Sequence, residues 1–243
     1  MKTYIIKDTF NGLLSAIFYY YANKDNNVLV FSNYNKTSFI DEIIEIEENP
    51  NNALRVNAKL KKILKLGSYN KIFIALKSGN ENKYTIVFNY LVETINHSQD
   101  ISTFLSNKSV YAFYEITSQV LLEAHRFKGF MRFNKTSDGI YYACFSPDND
   151  ICELIFPHFI RRFTSMPFIL HDTTFNRLCA YNGKEKRVAT KKLQPLKIND
   201  EISKLFKTYY DTVNIESRKN SKLMLNYMPK RYHKNMPEKN ELL

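Results

Sequence analysis

Four of the chain's five histidines lie between His125 and His233, in the half that also holds the densest mixture of imidazole, carboxylate and guanidinium groups. Three segments carry most of it: EAHRFKGFMRF from Glu123, YYACFSPDNDICELIFPHFIRRF from Tyr141, and MPFILHDTTFNRLCAYNGK from Met166. Imidazole changes charge near neutral pH, so His125 and His158 are the candidate general acids or bases. A catalytic His125 needs a carboxylate to orient it. Glu123, two residues away on a helix, points to a different face, so that acid must come from elsewhere, with Asp172 and Asp148 as candidates. His125, His158 and Asp172 could also form a metal-binding set. No pair among them has the spacing of ligands on one helix face, so no metal is expected. The structural alternative is that each imidazole contacts backbone or phosphate, or fills the core.

Cations interleave with rings through the same segments. Arg126, Lys128, Arg132, Arg161, Arg162 and Arg177 alternate with Phe127, Phe130, Phe133, Phe159, Phe163 and Phe175. Such a surface can hold phosphates and stack bases, which makes these six cations candidate nucleic-acid contacts. The same pattern also suits arginine stems packed over a core edge. Lys230 and Arg231, in the run Lys230-Arg231-Tyr232-His233-Lys234, are the second candidate contact. That run could instead dock on a partner protein.

The net charge of +11 is unevenly spread. Residues 1–100 carry 12 Lys+Arg against 10 Asp+Glu, residues 101–183 carry 8 against 7, and residues 184–243 carry 15 against 7. A basic final quarter points to a polyanionic partner, although an Asn-, Lys- and Ile-rich composition alone would also raise the charge. The sequence lacks HExxH, GxSxG, Walker and GxGxxG motifs, and six glycines leave little room for a phosphate-cradling loop. Three cysteines without zinc-knuckle or CxxxCxxC spacing read as reduced thiols. The chain is therefore expected to carry no cofactor of its own. No apolar run is long enough for a membrane span and the first residues lack a signal-peptide pattern, so a cytoplasmic location is expected.

The elements that must position these residues follow from periodicity. Thr3–Lys7, Val28–Phe31 and Ile43–Ile46 read as strands. Between the first two, Asp8 or Thr9 caps a helix whose apolar face is Phe10, Leu13, Leu14, Ile17, Phe18 and Tyr21. Pro50–Asn52 reads as a break. A basic amphipathic helix then runs to Leu66, closed by Gly67 and Ser68. Further helices are predicted over Tyr69–Lys77, Lys83–His97 and Lys108–Phe127, giving a small helical bundle. Gly129–Asn134 and Ile140–Phe145 read as a hairpin around Asp138-Gly139. A helix over Ile151–Phe163 contains Pro157, which is expected to kink or restart it. Strands over Pro167–His171, Arg177–Tyr181 and Val188–Leu193, and a helix over Asp200–Thr212, complete the pattern. The fold expected is α+β: an N-terminal strand–helix portion, a helical middle and a mixed α/β C-terminal half in one compact unit. A basic tail covers about residues 217–243.

Several of these segments resemble the motifs of one family. They are Thr9-Phe10-Asn11-Gly12-Leu13-Leu14; Glu123-x-His125-Arg126-x-x-Gly129-Phe130-x-Arg132-Phe133; Pro147-Asp148-x-Asp150 followed by Pro157-His158-Phe159-x-x-Arg162-Phe163; and Met228-Pro229-Lys230-Arg231-Tyr232. In this order along nearly the whole chain they resemble the DUF4130 family, described as DNA-metabolism proteins. The resemblance implies a single DUF4130-like domain over 1–243. It also implies a radical S-adenosylmethionine (SAM) protein as neighbour, thought to modify or repair DNA, and kinship with a domain fused to uracil-DNA glycosylase-like domains. The sequence departs from the pattern at Thr173–Asn176, which separates Asp172 from Arg177, and at His233, where the family usually has Trp. The leading expectation is a nucleic-acid-binding accessory of DNA metabolism or repair, acting with a radical SAM partner. The alternatives are a glycosylase- or nuclease-like hydrolase using His125, His158 or Asp172, and a subunit that binds only protein.

Overall fold

The computed structural model describes residues 2–32, 42–196, 208, 212 and 220–236. Its residues group into two compact units, 1–120 and 121–243, and the boundary falls inside a helix rather than at a linker. The class is α+β, as the sequence predicts.

The first unit is built on a three-stranded parallel sheet with β1 (Lys2–Ile6) between β2 (Val28–Phe31) and β3 (Glu42–Ile46). Helix α1 (Phe10–Asn23) joins β1 to β2. Thr9 caps it from an extended backbone, its Oγ1 accepting the Gly12 N–H at 2.9 Å. α1 ends at Lys24, which takes a left-handed conformation. Helices α2 (Pro50–Ile63), α3 (Leu66–Leu76), α4 (Lys83–His97) and α5 (Lys108–Phe130) follow.

Two sequence boundaries move. Pro50 does not break the chain but opens α2, because Asn49 Oδ1 caps the Asn51 and Asn52 N–H groups and proline at N1 lacks only a donor that would be orphaned anyway. Gly67 and Ser68 do not close α2. They lie in the first turn of α3, after α2 has stopped at Ile63.

The helices do not form a separate bundle. Their buried faces share one core with the sheet, in which Tyr4, Leu13, Ile17 and Val30 meet Leu60, Ile72, Phe88 and Phe113. Thr85 on α4 both donates to and accepts from the Val30 backbone of β2, at 2.9 and 2.8 Å. Tyr90 and Phe113 stack face to face at 3.9 Å.

The second unit carries a five-stranded sheet in the order β4 (Asn134–Lys135), β5 (Tyr141–Phe145), β6 (Phe168–Asp172), β7 (Arg177–Tyr181), β8 (Lys186–Thr190). Only β5 and β6 are parallel, linked by helix α6 (Cys152–Phe163). α5 continues through Gly129 to Phe130, so the predicted strand over Gly129–Asn134 shrinks to Asn134–Lys135. The turn between β4 and β5 is the predicted hairpin, with Gly139 at φ +79. α6 starts at Cys152, one residue after the predicted Ile151, and it runs unbroken across the exposed Pro157, which was expected to kink or restart it. It buries Ile155, Phe156 and Phe159 in the apolar layer that also holds Phe168 and Leu170. A short helix α7 (Ser221–Tyr227) and a 3₁₀ helix (Lys230–Asn235) end the described chain. The predicted helix over Asp200–Thr212 lies outside the described residues except for Thr208 and Thr212. Among the described residues no helix is long and apolar enough to cross a membrane.

Candidate functional site

The C-terminal ends of the two parallel strands bring most of the motif residues together. Phe145 closes β5 and pairs with Asp172 closing β6. The loops that follow are tied by the Thr173 N–H to Phe145 O bond at 3.0 Å and by the Ser146–Thr173 hydroxyl pair at 2.8 Å.

Asp172 has no exposed surface. Its Oδ1 accepts the Thr174 and Phe175 N–H groups at 2.9 and 3.1 Å, while Oδ2 is buried with no hydrogen-bond partner. Burial pushes this carboxyl up to about 7; the two backbone donors oppose the shift, and the charges of Asp150 and Glu123 add to it.

Glu123, 4% exposed, is the hub of the loop. Its Oε1 accepts the Asp148 N–H at 2.8 Å and the Tyr232 hydroxyl at 2.6 Å. Its Oε2 accepts the backbone and side-chain N–H groups of Asn149 at 2.8 and 2.6 Å. Four donors on one buried carboxylate offset its loss of water. Tyr232 packs its ring on Phe127 of α5, centroids 4.7 Å apart, and burial with the Glu123 charge raises its hydroxyl well above the ordinary range. Arg231 pairs with Asp148 at 2.6 Å and lies 4.8 Å over the Tyr232 ring. Arg177 binds Asp150 at 3.1 Å and Thr190 Oγ1 at 2.6 Å. The motif pieces that are far apart in sequence are thus one bonded assembly.

The family sequence model for DUF4130, described as a domain of unknown function, matches residues 81–238, more than half of the chain. The chain belongs to the DUF4130 family. The match holds the whole carboxylate assembly and leaves out the Thr9–Leu14 segment. No curated protein matches the chain.

The candidate cations of this DUF4130 chain separate into two groups. Arg132, Arg177 and Arg231 are engaged internally; Arg132 Nη1 donates to Gly129 O at 2.9 Å, at the end of α5. Lys128 on α5 and Arg161 and Arg162 on α6 are instead near enough to His158 for their charges to act on it. Both arginines are exposed, at neighbouring positions about 100° apart around α6. Among the described residues, neither these three cations nor Arg126 is held in an ion pair. His158 is half-buried, with its Nε2 enclosed and unbonded. Burial and the three positive charges hold its pKa below the usual imidazole value, so it is neutral at neutral pH. Lys230 is exposed on the 3₁₀ helix beside the engaged Arg231.

The three predicted catalytic side chains have different surroundings. His125 is exposed on α5, His158 sits among cations, and Asp172 is buried among carboxylates. Among the described residues no three His, Cys, Asp or Glu side chains stand close enough to hold a metal ion.

The sequence reading missed His171 and Tyr142. Tyr142 OH and His171 Nδ1 are 2.6 Å apart, and both residues are buried on adjacent strands. Their shared sheet face was legible only once the β5–β6 register was known, because Tyr142 pairs with Ile169 and Cys144 with His171. Burial holds His171 below its ordinary value, so it too is neutral.

Proposed function

We propose that this chain is a nucleic-acid-binding accessory of DNA metabolism or repair, and that Lys128, Arg161 and Arg162 around His158 form its phosphate contact. The observation that carries this reading is that Lys128 on α5 and Arg161 and Arg162 on α6, none of them in an ion pair among the described residues, all act on the charge of the half-buried His158. Like charges assembled without counter-charges destabilise a fold unless an anion serves them, and phosphodiester is the polyanion that a protein of net charge +11 meets most readily. Arg126 on α5 and the exposed Lys230 are further candidate phosphate contacts. The base chemistry would come from the radical SAM neighbour that the family resemblance implies, with this chain holding the strand in register.

The hydrolase reading has less support, since neither candidate histidine shares the surroundings of Asp172. The protein-interaction reading gains nothing from the basic tail, because Arg231 and Tyr232 are already used inside the unit.

Fluorescence anisotropy with single- and double-stranded DNA at about 50 and 200 mM salt tests the proposal. Affinity should fall steeply with salt, and Arg161→Glu with Arg162→Glu should remove most of it. Absence of binding to every DNA and RNA, with and without the neighbouring enzyme, would sink the reading.

A further inference from the structure

The first unit holds a second place where charge and shape point to a ligand. Two hollows flank the last turns of α1 and share Phe18 and Ala22. One, of about 430 Å³, has an apolar floor of Ile17, Val56 and Ile95, and Arg55 and Lys59 are at its edge. Both cations are exposed on α2, one turn apart, and among the described residues neither is in an ion pair. The Arg55 guanidinium lies 5.1 Å over the Phe18 ring, which holds it at the wall. The other hollow, of about 340 Å³, is lined by Tyr19, by Asn49 and Asn52, and by Glu45, Glu47 and Glu48 from β3 and the turn after it. Glu48 is committed to Thr9 and Lys7, at 2.6 and 3.8 Å, whereas Glu45 and Glu47 are exposed and among the described residues carry no ion pair.

A basic, apolar-floored hollow beside an acidic one, with an aromatic ridge between, selects a ligand with three parts. It needs an anion at one end, a flat body in the middle and clustered N–H donors at the other. A fatty acid has no donors to give the carboxylates, and a simple amine has no anion for Arg55 and Lys59. Among the common bases, guanine presents an imino and an amino N–H side by side, the pattern that a carboxylate accepts with two oxygens. Each volume is within the range of small-molecule sites, about 300–1,000 Å³.

We propose that the two hollows are one site for a guanine nucleotide unit, with the phosphate on Arg55 and Lys59, the base against Phe18 and Tyr19, and its N–H edge on Glu45 and Glu47. The site lies in the first unit and uses none of the cations assigned to nucleic acid above, so it stands or falls separately.

Calorimetry on the full chain with GMP, AMP and UMP, and with a thymidine oligonucleotide holding a single dG, tests it. GMP should bind at least about tenfold more tightly than UMP. Glu45→Gln with Glu47→Gln should abolish that preference, and Arg55→Glu with Lys59→Glu should weaken GMP by about tenfold or more. Binding of the oligonucleotide but not of GMP, with the same variant effects, would place the guanine within a strand. Equal affinity for the mononucleotides, affinity unchanged in either double variant, or no binding of GMP or of the dG strand would overturn the proposal. All four substituted side chains are exposed, so the variants should fold, and circular dichroism checks that they do.

Discussion

Glu123 and Tyr232, 109 residues apart, are joined by a buried hydrogen bond of 2.6 Å. Tyr232 anchors the C-terminal 3₁₀ helix on α5 through this bond and through its ring, which is packed against Phe127. Tyr232→Phe keeps the ring and leaves Glu123 with three donors, so it should cost about 1 kcal/mol. Glu123→Ala strands the Asp148 and Asn149 N–H groups and the Asn149 amide, each costing about 1–3 kcal/mol when left unpaired, and should cost about 3 kcal/mol or more. Urea denaturation measures both, and trypsin should cut at Lys230 or Arg231 faster in the second variant. Equal losses in the two variants would mean that the loop bonds carry no weight.

Asp172 makes stability depend on pH with a sign opposite to that of most carboxylates. Its folded value, about 7, lies above the ordinary value of 3.8. Below 3.8 both states hold the proton, and above about 7 both have lost it. Between them the unfolded chain ionises first, so the contribution of Asp172 to stability is full at low pH and is lost as pH rises through about 7. The neutral His171 and His158 work the other way, losing stability as pH falls below the imidazole range. Comparison with Asp172→Asn cancels the histidines. The asparagine keeps an acceptor for the Thr174 and Phe175 N–H groups, and the variant should gain on the wild type by up to about 4 kcal/mol between pH 4 and 8. A difference that does not vary with pH in urea melts would show that Asp172 ionises normally.

Local chemistry explains what the sequence reading could and could not see. The Thr9 cap, α4, the β4–β5 turn and β7 each follow from caps, periodicity or a turn pair a few residues long. The end of α5 was missed because Gly129 and the alternation after it imitate a strand, while the side-chain period of a three-residue tail cannot separate helix from strand. Pro50 misled for a related reason: proline stops a helix from inside and starts one at N1, and only the Asn49 cap decides which. At the site, Glu123 looked like a failed partner for His125. Its true partners, Asp148, Asn149 and Tyr232, are 25, 26 and 109 residues away, and no local spacing encodes such distances. The cations illustrate the same limit. Arg177 and Arg162 are indistinguishable as residue types, yet one is bound to Asp150 and the other is exposed.

Gly12 explains why a glycine stands behind the Thr9 cap. A Cβ there would lie 2.5 Å from Lys7 O and 3.2 Å from Thr9 Oγ1, inside any acceptable contact with backbone. Gly12→Ala would normally stabilise a helix, by about 1 kcal/mol. Here it should destabilise by about 2 kcal/mol or more, because the β1–α1 connection must open to admit the methyl. Asn11→Ala, at an exposed neighbour in the same turn, is the control and should be near neutral. Thermal melts compare the two, and a stabilised Gly12→Ala would show that the connection relaxes freely.

The two buried cysteines should be silent toward reagents that the third one meets. Cys152 and Cys179 have no exposed surface, and their sulfurs are 3.2 Å apart. Their contact and burial push the Cys152 thiol far up, and the charges of Asp172 and Asp150 act in the same direction, so almost none of it is thiolate at neutral pH. Cys144 is partly exposed on β5. An aromatic disulfide reagent should therefore label one thiol promptly in the native chain and all three in denaturant. Cys144→Ser should remove the prompt label without changing the slow phase, which then reports the opening of the α6–β7 packing around Cys152 and Cys179. Prompt labelling of more than one thiol in the native chain would mean that this packing is open to solvent.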